Sequence, residues 1–393
     1  MRKAISLAAV LICSIQLFAQ NWKDLHFSSL VVDTHNDILT TVIEKGYSFD
    51  QNLKGKTHSD LNRFAKGGID VQIFSIWCDG SYTNGKGFRR ANQQIDTLYA
   101  VQRRNPSRMT IVTNSKQLLQ AVKEKKLAAM IGVEGGHMIE DRLDYLDSLF
   151  NRGARYLTLT WNNSTSWASS AADEYKGKQP KGLNDFGKQV VKHMNELGML
   201  VDLSHVGEQT FWDAINTTTQ PIIVSHSCSH ALCPVSRNLT DEQIKAVGKN
   251  GGVIHLNFFS GFLDSTFFKK NREFRRKHRA EADSLFATGK DTNTVTDMLA
   301  EKYAADAQQL RAPFSLLFDH LDHIVKLIGT DHVGLGSDFD GITSTPQRLN
   351  DVTDFPLITQ ELMRRGYTTQ QIKNILGGNF LRLLQAVERP SNP

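Results

Sequence analysis

The chain reads as an α/β protein, a (β/α)8 barrel of the TIM type, with an open doubly wound sheet as the alternative. Three observations predict this. Short apolar β-type runs recur eight times along the 393 residues. Amphipathic, helix-compatible stretches separate them, and strands alternating with helices imply parallel βαβ units. Imidazoles and carboxylates collect at the C-terminal ends of several runs, the rim where a barrel builds its site.

The first run is SLVVDTH (29–35). It leads into Asp33, His35 and Asp37, set two apart, and a regular strand would line all three along one face. The second run is IDVQIFSIW (69–77). The third, LAAMIGVEG (127–135), carries Glu134 at its end. The fourth, ARYLTLTW (154–161), ends at Trp161, with Asn162 and Asn163 beyond. The fifth, GMLVDLSH (198–205), ends at His205. The sixth, PIIVSHS (221–227), carries His226. The seventh, GVIHLNFF (252–259), is followed by a long charged segment, 260–313, which reads as a helical insertion rather than a second domain. The eighth, HVGLGSDFD (332–340), ends with Asp338 and Asp340. Between the runs lie QLLQAVKEKK, GLNDFGKQVVKHMNELG and SLLFDHLDHIVKLIG, with helical periodicity. The final stretch, TQQIKNILGGNFLRLLQAVE, is expected to pack against the barrel.

Composition narrows the class. A formal charge of +5 is small for this length. Much of it sits in FFKKNREFRRKHR (267–279), which reads as a solvated helix face. No basic-aromatic interleaving elsewhere supports a nucleic-acid partner. Residues 1–20, MRKAISLAAVLICSIQLFAQ, combine a positive start, an apolar stretch and a small residue before a cut. They read as a secretory signal peptide, which implies export to the periplasm or the extracellular space. The mature chain, 21–393, reads as one barrel domain with no transmembrane anchor. It keeps Cys78, Cys228 and Cys233, so at least one thiol is unpaired. Spacing leaves a Cys228–Cys233 bridge open.

Each polar residue at a strand end has an ordinary explanation. A lone His is commonly hydrogen-bonded in a core, and a lone Asp commonly caps the next helix. Those explanations would have to hold at five strand ends on the same rim. Unpaired buried charges are costly, and a metal explains the whole set at once. None of the clustered residues is Cys, which disfavours a structural zinc site. Nitrogen and oxygen donors with open positions suit a catalytic centre, and two metals a few ångströms apart fit the number of donors. Zinc is expected; manganese or cobalt accept the same ligands. Such a pair supplies a hydroxide near neutral pH, and a spare carboxylate on the eighth strand, Asp338 or Asp340, shuttles its proton.

The ordered set resembles the membrane (renal) dipeptidase family, peptidase family M19, among the metal-dependent amidohydrolases. It comprises HxD on the first strand, IGVEGGH, VDLSHVG, VSHS with Arg237 and Asn238 eleven and twelve residues beyond its His, and GLGSDFDG. The similarity runs from about residue 29 to 388. It implies a zinc-dependent dipeptidase whose bridging hydroxide attacks the peptide bond, tolerating D-residues at the C-terminal position. His35 and Asp37 would bind one of two zinc ions, Glu134 would bridge both, and His205 and His226 would bind the second. Asp338, rather than Asp340, would carry the proton. Arg237 would hold the carboxylate of a small dipeptide, as guanidinium–carboxylate geometry allows. The resemblance also implies a homodimer.

Two departures stand out. Mammalian members carry a His directly after TLT on the fourth strand, contacting the scissile carbonyl; here the residue is Trp161. Indole donates one hydrogen bond and cannot take a proton, so Asn162 or Asn163 would have to supply the contact. Cys78 resembles half of a family disulfide, but the partner position is Asn163, so that bridge is absent. Trp161 keeps a second reading open, a related amidohydrolase acting on N-acyl amino acids or another small amide. A non-catalytic binding protein is the third.

Overall fold

The computed structural model describes residues 22–178, 182–290 and 292–389. The leader read at 1–20 lies outside the described residues. Nine parallel strands form one sheet: β1 (Val32–Asn36), β2 (Val71–Trp77), β3 (Met109–Ile111), β4 (Leu127–Glu134), β5 (Ala154–Thr158), β6 (Leu200–Asp202), β7 (Ile223–Ser227), β8 (Val253–Leu256) and β9 (Val333–Leu335). Eight of them follow one another as β1-β2-β4-β5-β6-β7-β8-β9. The seam is closed just beyond β9. Asp338 N–H donates to His35 O at 3.1 Å, Asp37 N–H donates to Phe339 O at 2.9 Å, and Asn36 bridges Phe339. The result is a nearly closed (β/α)8 barrel, as the run of strands and helices predicts.

β3 is the strand that periodicity does not reveal. Its three residues pair with Leu127–Ala129, on the half of β4 that precedes the β5 pairing at Ile131. The strands are also shorter than the apolar runs. His205, Asp338 and Asp340 adopt left-handed backbone conformations, φ 64°, 60° and 67°. A non-glycine residue pays for that geometry and cannot continue a strand. The chemistry-bearing residues therefore stand on turns immediately above the strands.

Every residue of β4 is buried, which is why it reads as a continuous apolar run: helices cover the barrel outside and side chains fill it inside. The barrel floor is made by Val71, Ile73, Met130, Ile223 and Val253, plugged by Phe380 and Leu384 of the C-terminal helix Asn379–Val387. That floor leaves the opposite, C-terminal rim for polar groups.

The segment after β8 is helical, with Ser260–Leu263, Phe267–Lys277, Arg279–Ala287, Thr292–Lys302 and Ala304–Ala307. It has its own small cluster, including Phe267, Phe274, Val295 and Leu299. The basic helix Phe267–Lys277 buries those two phenylalanines and leaves Lys269, Arg272 and Arg276 exposed, so its charge is a solvated face. Among the described residues, no helix is long and apolar enough to cross a membrane.

Candidate active site

Six residues read from the sequence converge at the C-terminal rim: His35, Asp37, Glu134, His205, His226 and Asp338. Donor atoms of His35, Glu134 and His226 lie within 4.8 Å of one another, and so do those of His35, Asp37 and Asp338. Glu134 sits in the middle. Its Oε2 is 3.4 Å from His35 Nε2, and its Oε1 is 2.8 Å from His205 Nε2 and 3.5 Å from His226 Nε2. Asp37 Oδ2 is 3.4 Å from His35 Nε2.

Hydrogen bonds on the far side of each ring fix what its Nε2 can be. Tyr156 is buried, which pushes its phenol pKa well up and keeps it a donor. Its hydroxyl donates to Thr34 O at 3.2 Å and so accepts from His35 Nδ1 at 2.9 Å. Ser225 donates its hydroxyl to Asp202 Oδ2 at 2.6 Å and so accepts from His226 Nδ1 at 2.8 Å. Asp202 is held in turn by Thr158 Oγ1, Ser204 N–H and Ser225 N–H. His205 Nδ1 donates to Asn162 Oδ1 at 3.2 Å. Each ring thus spends its proton on Nδ1 and turns a lone pair on Nε2 towards Glu134. This is the arrangement by which outer hydrogen bonds orient metal-ligating histidines.

Lone pairs facing lone pairs repel unless a cation lies between them. His205 Nε2 and His226 Nε2 stand 2.9 Å apart. His35 Nε2 and Asp37 Oδ1 are buried without a hydrogen-bond partner. A divalent metal answers both features, and three imidazoles with carboxylates are a donor set it takes. The ionisation pattern has the same origin. Burial pushes His205 down to about 4 and His226 well below the usual range, with the charges of Arg237 and His35 adding to the effect. Burial opposes charge on His35 as well, but the carboxylates of Glu134 and Asp37 beside its Nε2 outweigh it and raise its pKa, so this nitrogen draws a positive charge, a proton or a metal ion. Glu134 would also be raised by burial, yet the three histidines hold it well below the carboxylate range. Asp338 is raised by burial and by the charges of Asp37 and Glu134.

Asp338 and Asp340, which spacing could not separate, face different ways. Asp338 Oδ2 accepts from Asn257 Nδ2 at 2.8 Å, and Oδ1 lies towards Asp37 over Gly341, where a Cβ would meet both carboxylates. Asp340 is turned outward to the 58–59 loop and accepts from His58 N–H at 2.6 Å and Ser59 Oγ at 2.5 Å. The three polar groups of the first strand also part. A register shift in β1 between Asp33 and Asn36 interrupts the two-residue alternation. His35 and Asp37 reach the cluster, whereas Asp33 bonds to Ser337 across the seam. The expectation of one shared face gives way to that bulge.

Arg237 lies beside the cluster on the loop after β7, only 8% exposed. Nη1 donates to Ser227 Oγ and Nη2 to His226 O, while Nε has no partner. A cleft of about 270 Å³ opens between Arg237, His205, His230 and Tyr175. Trp161 packs edge-on against Trp77, ring centres 5.0 Å apart. Asn162 spends its Oδ1 on His205, and Asn163 packs against Gly80. Cys78, Cys228 and Cys233 are all buried free thiols. Sequence reading did not find Tyr156, Asp202, Ser225 or Asn257. Position offers a signal for Asp202 and Asn257, at or just beyond the C-terminal end of a strand, but none for Tyr156 and Ser225, which lie mid-strand.

A barrel of eight parallel strands with histidines and carboxylates on its C-terminal rim has the fold of the metal-dependent hydrolases. The chain belongs to the membrane dipeptidase family, peptidase family M19, whose profile matches residues 19–393. It is similar to mouse dipeptidase 3, with 30% identity over 365 residues, 91% of this chain and 64% of the relative. The chain thus spans less than two thirds of that relative's length. Among solved structures, a probable dipeptidase, PvdM, from Pseudomonas aeruginosa superimposes with a TM-score of 0.77 at 24% identity, covering 95% of this chain and 99% of that one. A metallopeptidase from Rhodobacter sphaeroides, liganded with a phosphinate mimic of L-Ala-D-Ala, gives 0.73 at 22% identity and covers 92% and 100%. At these identities the likeness bears on the fold.

Proposed function

We propose that the chain is an exported zinc-dependent dipeptidase that hydrolyses small dipeptides, including those with a D-residue at the C-terminal position. The observation that carries this reading is the convergence of three imidazole Nε2 lone pairs on Glu134, each fixed by an outer hydrogen bond. His35 and Asp37 would hold one metal, His205 and His226 a second, and Glu134 both. Two zinc ions there would supply Lewis acidity to the scissile carbonyl and a water of lowered pKa. The family membership, and the dipeptide mimic bound by the Rhodobacter sphaeroides relative, support the substrate class. Export rests on the sequence of residues 1–20.

The chain's own groups do the remaining work. Asp338 takes the proton from the attacking water and passes it to the leaving amine. Arg237, with a buried unpaired Nε beside the cleft, anchors the substrate's C-terminal carboxylate and so limits length. The outer bonds of Tyr156, Ser225 and Asn162 keep the three rings aimed.

The test is zinc-loaded protein against a panel of L,L- and L,D-dipeptides, with Glu134→Gln as control. Turnover by the native chain, lost in the variant and lost on chelation, is expected. No turnover by metal-loaded native protein overturns the reading. One observation favours a second amide class: Trp161, packed on Trp77, occupies the position of the family's carbonyl-contacting His. A higher kcat/KM on N-acyl amino acids than on any dipeptide would decide for that class.

A further inference from the structure

β8, like β2, carries no chemical residue that the sequence pattern marks, yet it leads directly into a fully buried Asn257. Its side chain is held from both ends. Phe259 N–H donates to Asn257 Oδ1 at 2.6 Å, and Asn257 Nδ2 donates to Asp338 Oδ2 at 2.8 Å. The amide cannot be reversed: a flip would set NH2 against an N–H and oxygen against a carboxylate. The main chain is fixed as well, by Asn257 N–H to Ser227 O at 3.3 Å and by Cys228 Sγ to Asn257 O at 3.3 Å. Asp338 itself is attached through a left-handed residue on a turn, and Asn257 provides the side-chain hydrogen bond that orients its carboxylate.

We propose that Asn257 is a positioning residue for proton transfer: it ties down Oδ2 of Asp338 and leaves Oδ1, on the Asp37 side, as the oxygen that accepts and returns the proton. This rests on the reading of Asp338 as the proton carrier given above. The proton leaves the attacking water for Oδ1 and moves from Oδ1 to the leaving nitrogen, so the carboxylate is regenerated each cycle. Without the Asn257 bond the carboxylate rotates, and bound substrate waits for a productive orientation. The loss should therefore fall on kcat, since substrate binding uses other groups.

Two variants separate positioning from packing. Asn257→Asp is isosteric and keeps the acceptor for Phe259 N–H but sets a second carboxyl against Asp338, so that the two share a proton; Asn257→Ala loses both contacts. A hydrogen bond to a charged group corresponds to a loss of about 10- to 100-fold in rate. Both variants are expected to lower kcat by that much, with KM within about twofold of native, zinc content unchanged and a larger solvent deuterium isotope effect on kcat. An Asn257→Ala enzyme with native kcat would show that Asp338 needs no such bond and would overturn the proposal. So would a loss confined to KM, or one that tracks zinc content. If the native zinc-loaded protein turns over none of the dipeptides or N-acyl amino acids, the parent reading fails first and this one falls with it.

Discussion

Ser337 donates both its backbone N–H and its hydroxyl to the carboxylate of Asp33, at 2.7 and 2.6 Å. The pair joins β1 to the segment after β9, where the barrel closes, and both residues are fully buried. Burial pushes Asp33 up to about 6, with the Ser337 bonds working against that shift. Asp33→Ala would leave a buried N–H and a buried hydroxyl without their acceptor. The N–H has no other acceptor while the hydroxyl can turn to His35 O, so at about 1–3 kcal/mol for an unsatisfied group the variant should lose about 1–3 kcal/mol of stability, read from urea midpoints. Asp33→Asn keeps one acceptor and removes the buried charge, and should lose less than half as much. Equal stability of Asp33→Ala and native protein would remove the seam role.

That pair also marks the limit of what sequence could say. Asp33, His35 and Asp37 look alike as an i, i+2, i+4 series, and the bulge that separates them has no signature in VVDTHN. His35, Glu134, His205 and His226 were legible because strand ends can be located from apolar runs, and chemistry gathers at one rim. Asp338 and Asp340 were not separable, because a left-handed turn decides which one looks inward. β3 stayed hidden because three residues carry no period. Tyr156 reaches His35 from a strand far away in sequence, and Asp202 acts on His226 only through Ser225, pairings that no local pattern reports.

Trp161 bears on rate. It presents an indole against Trp77 where the resemblance implies an imidazole touching the scissile carbonyl. Asn162, the polar neighbour, has its side chain turned by the bond that its oxygen accepts from His205. Trp161→His should therefore raise kcat on dipeptides several-fold, by supplying a donor aimed at developing negative charge, where one such donor is worth about 10²-fold or more in enzymes built around it. Steady-state kinetics at saturating substrate checks this. An unchanged or lower kcat would mean that the Trp161–Asn162 arrangement is itself the working contact.

Arg237 should act on binding and on one substrate group. Its Nε is unpartnered while both terminal nitrogens are tied to Ser227 and His226 O, so the guanidinium is rigid before substrate arrives. Arg237→Ala should raise KM for free-carboxylate dipeptides by about 10- to 100-fold, the value of a charged hydrogen bond. C-terminally amidated analogues, which have no carboxylate to anchor, should change by less than about threefold on the same scale. Equal effects on both series would take the carboxylate role away from Arg237.

His255 should make the barrel acid-sensitive independently of the metal cluster. It lies within β8, 1% exposed, with Nδ1 donating to Val224 O at 3.1 Å and Nε2 buried without a partner. A second proton would have to sit on Nε2, in a space with no acceptor. Burial accordingly pushes the ring down to about 3, against the opposing Val224 bond. The sign follows from linkage. Below the unfolded value of about 6.5 the unfolded chain binds the proton and the folded chain does not. The contribution is whole above pH 6.5 and is lost progressively as pH falls towards about 3, up to a limit of about 5 kcal/mol. His255→Gln keeps an N–H donor for Val224 O and has nothing to titrate. It should be less stable than native protein at pH 7.5, because the shape of the ring is lost, and should close or reverse that gap at pH 4.5. Urea midpoints of both proteins at the two pH values give the comparison, and titration of the histidines and carboxylates at the rim cancels between them because it is common to both. A gap that stays constant between pH 7.5 and 4.5 would show that His255 does not resist protonation in the fold.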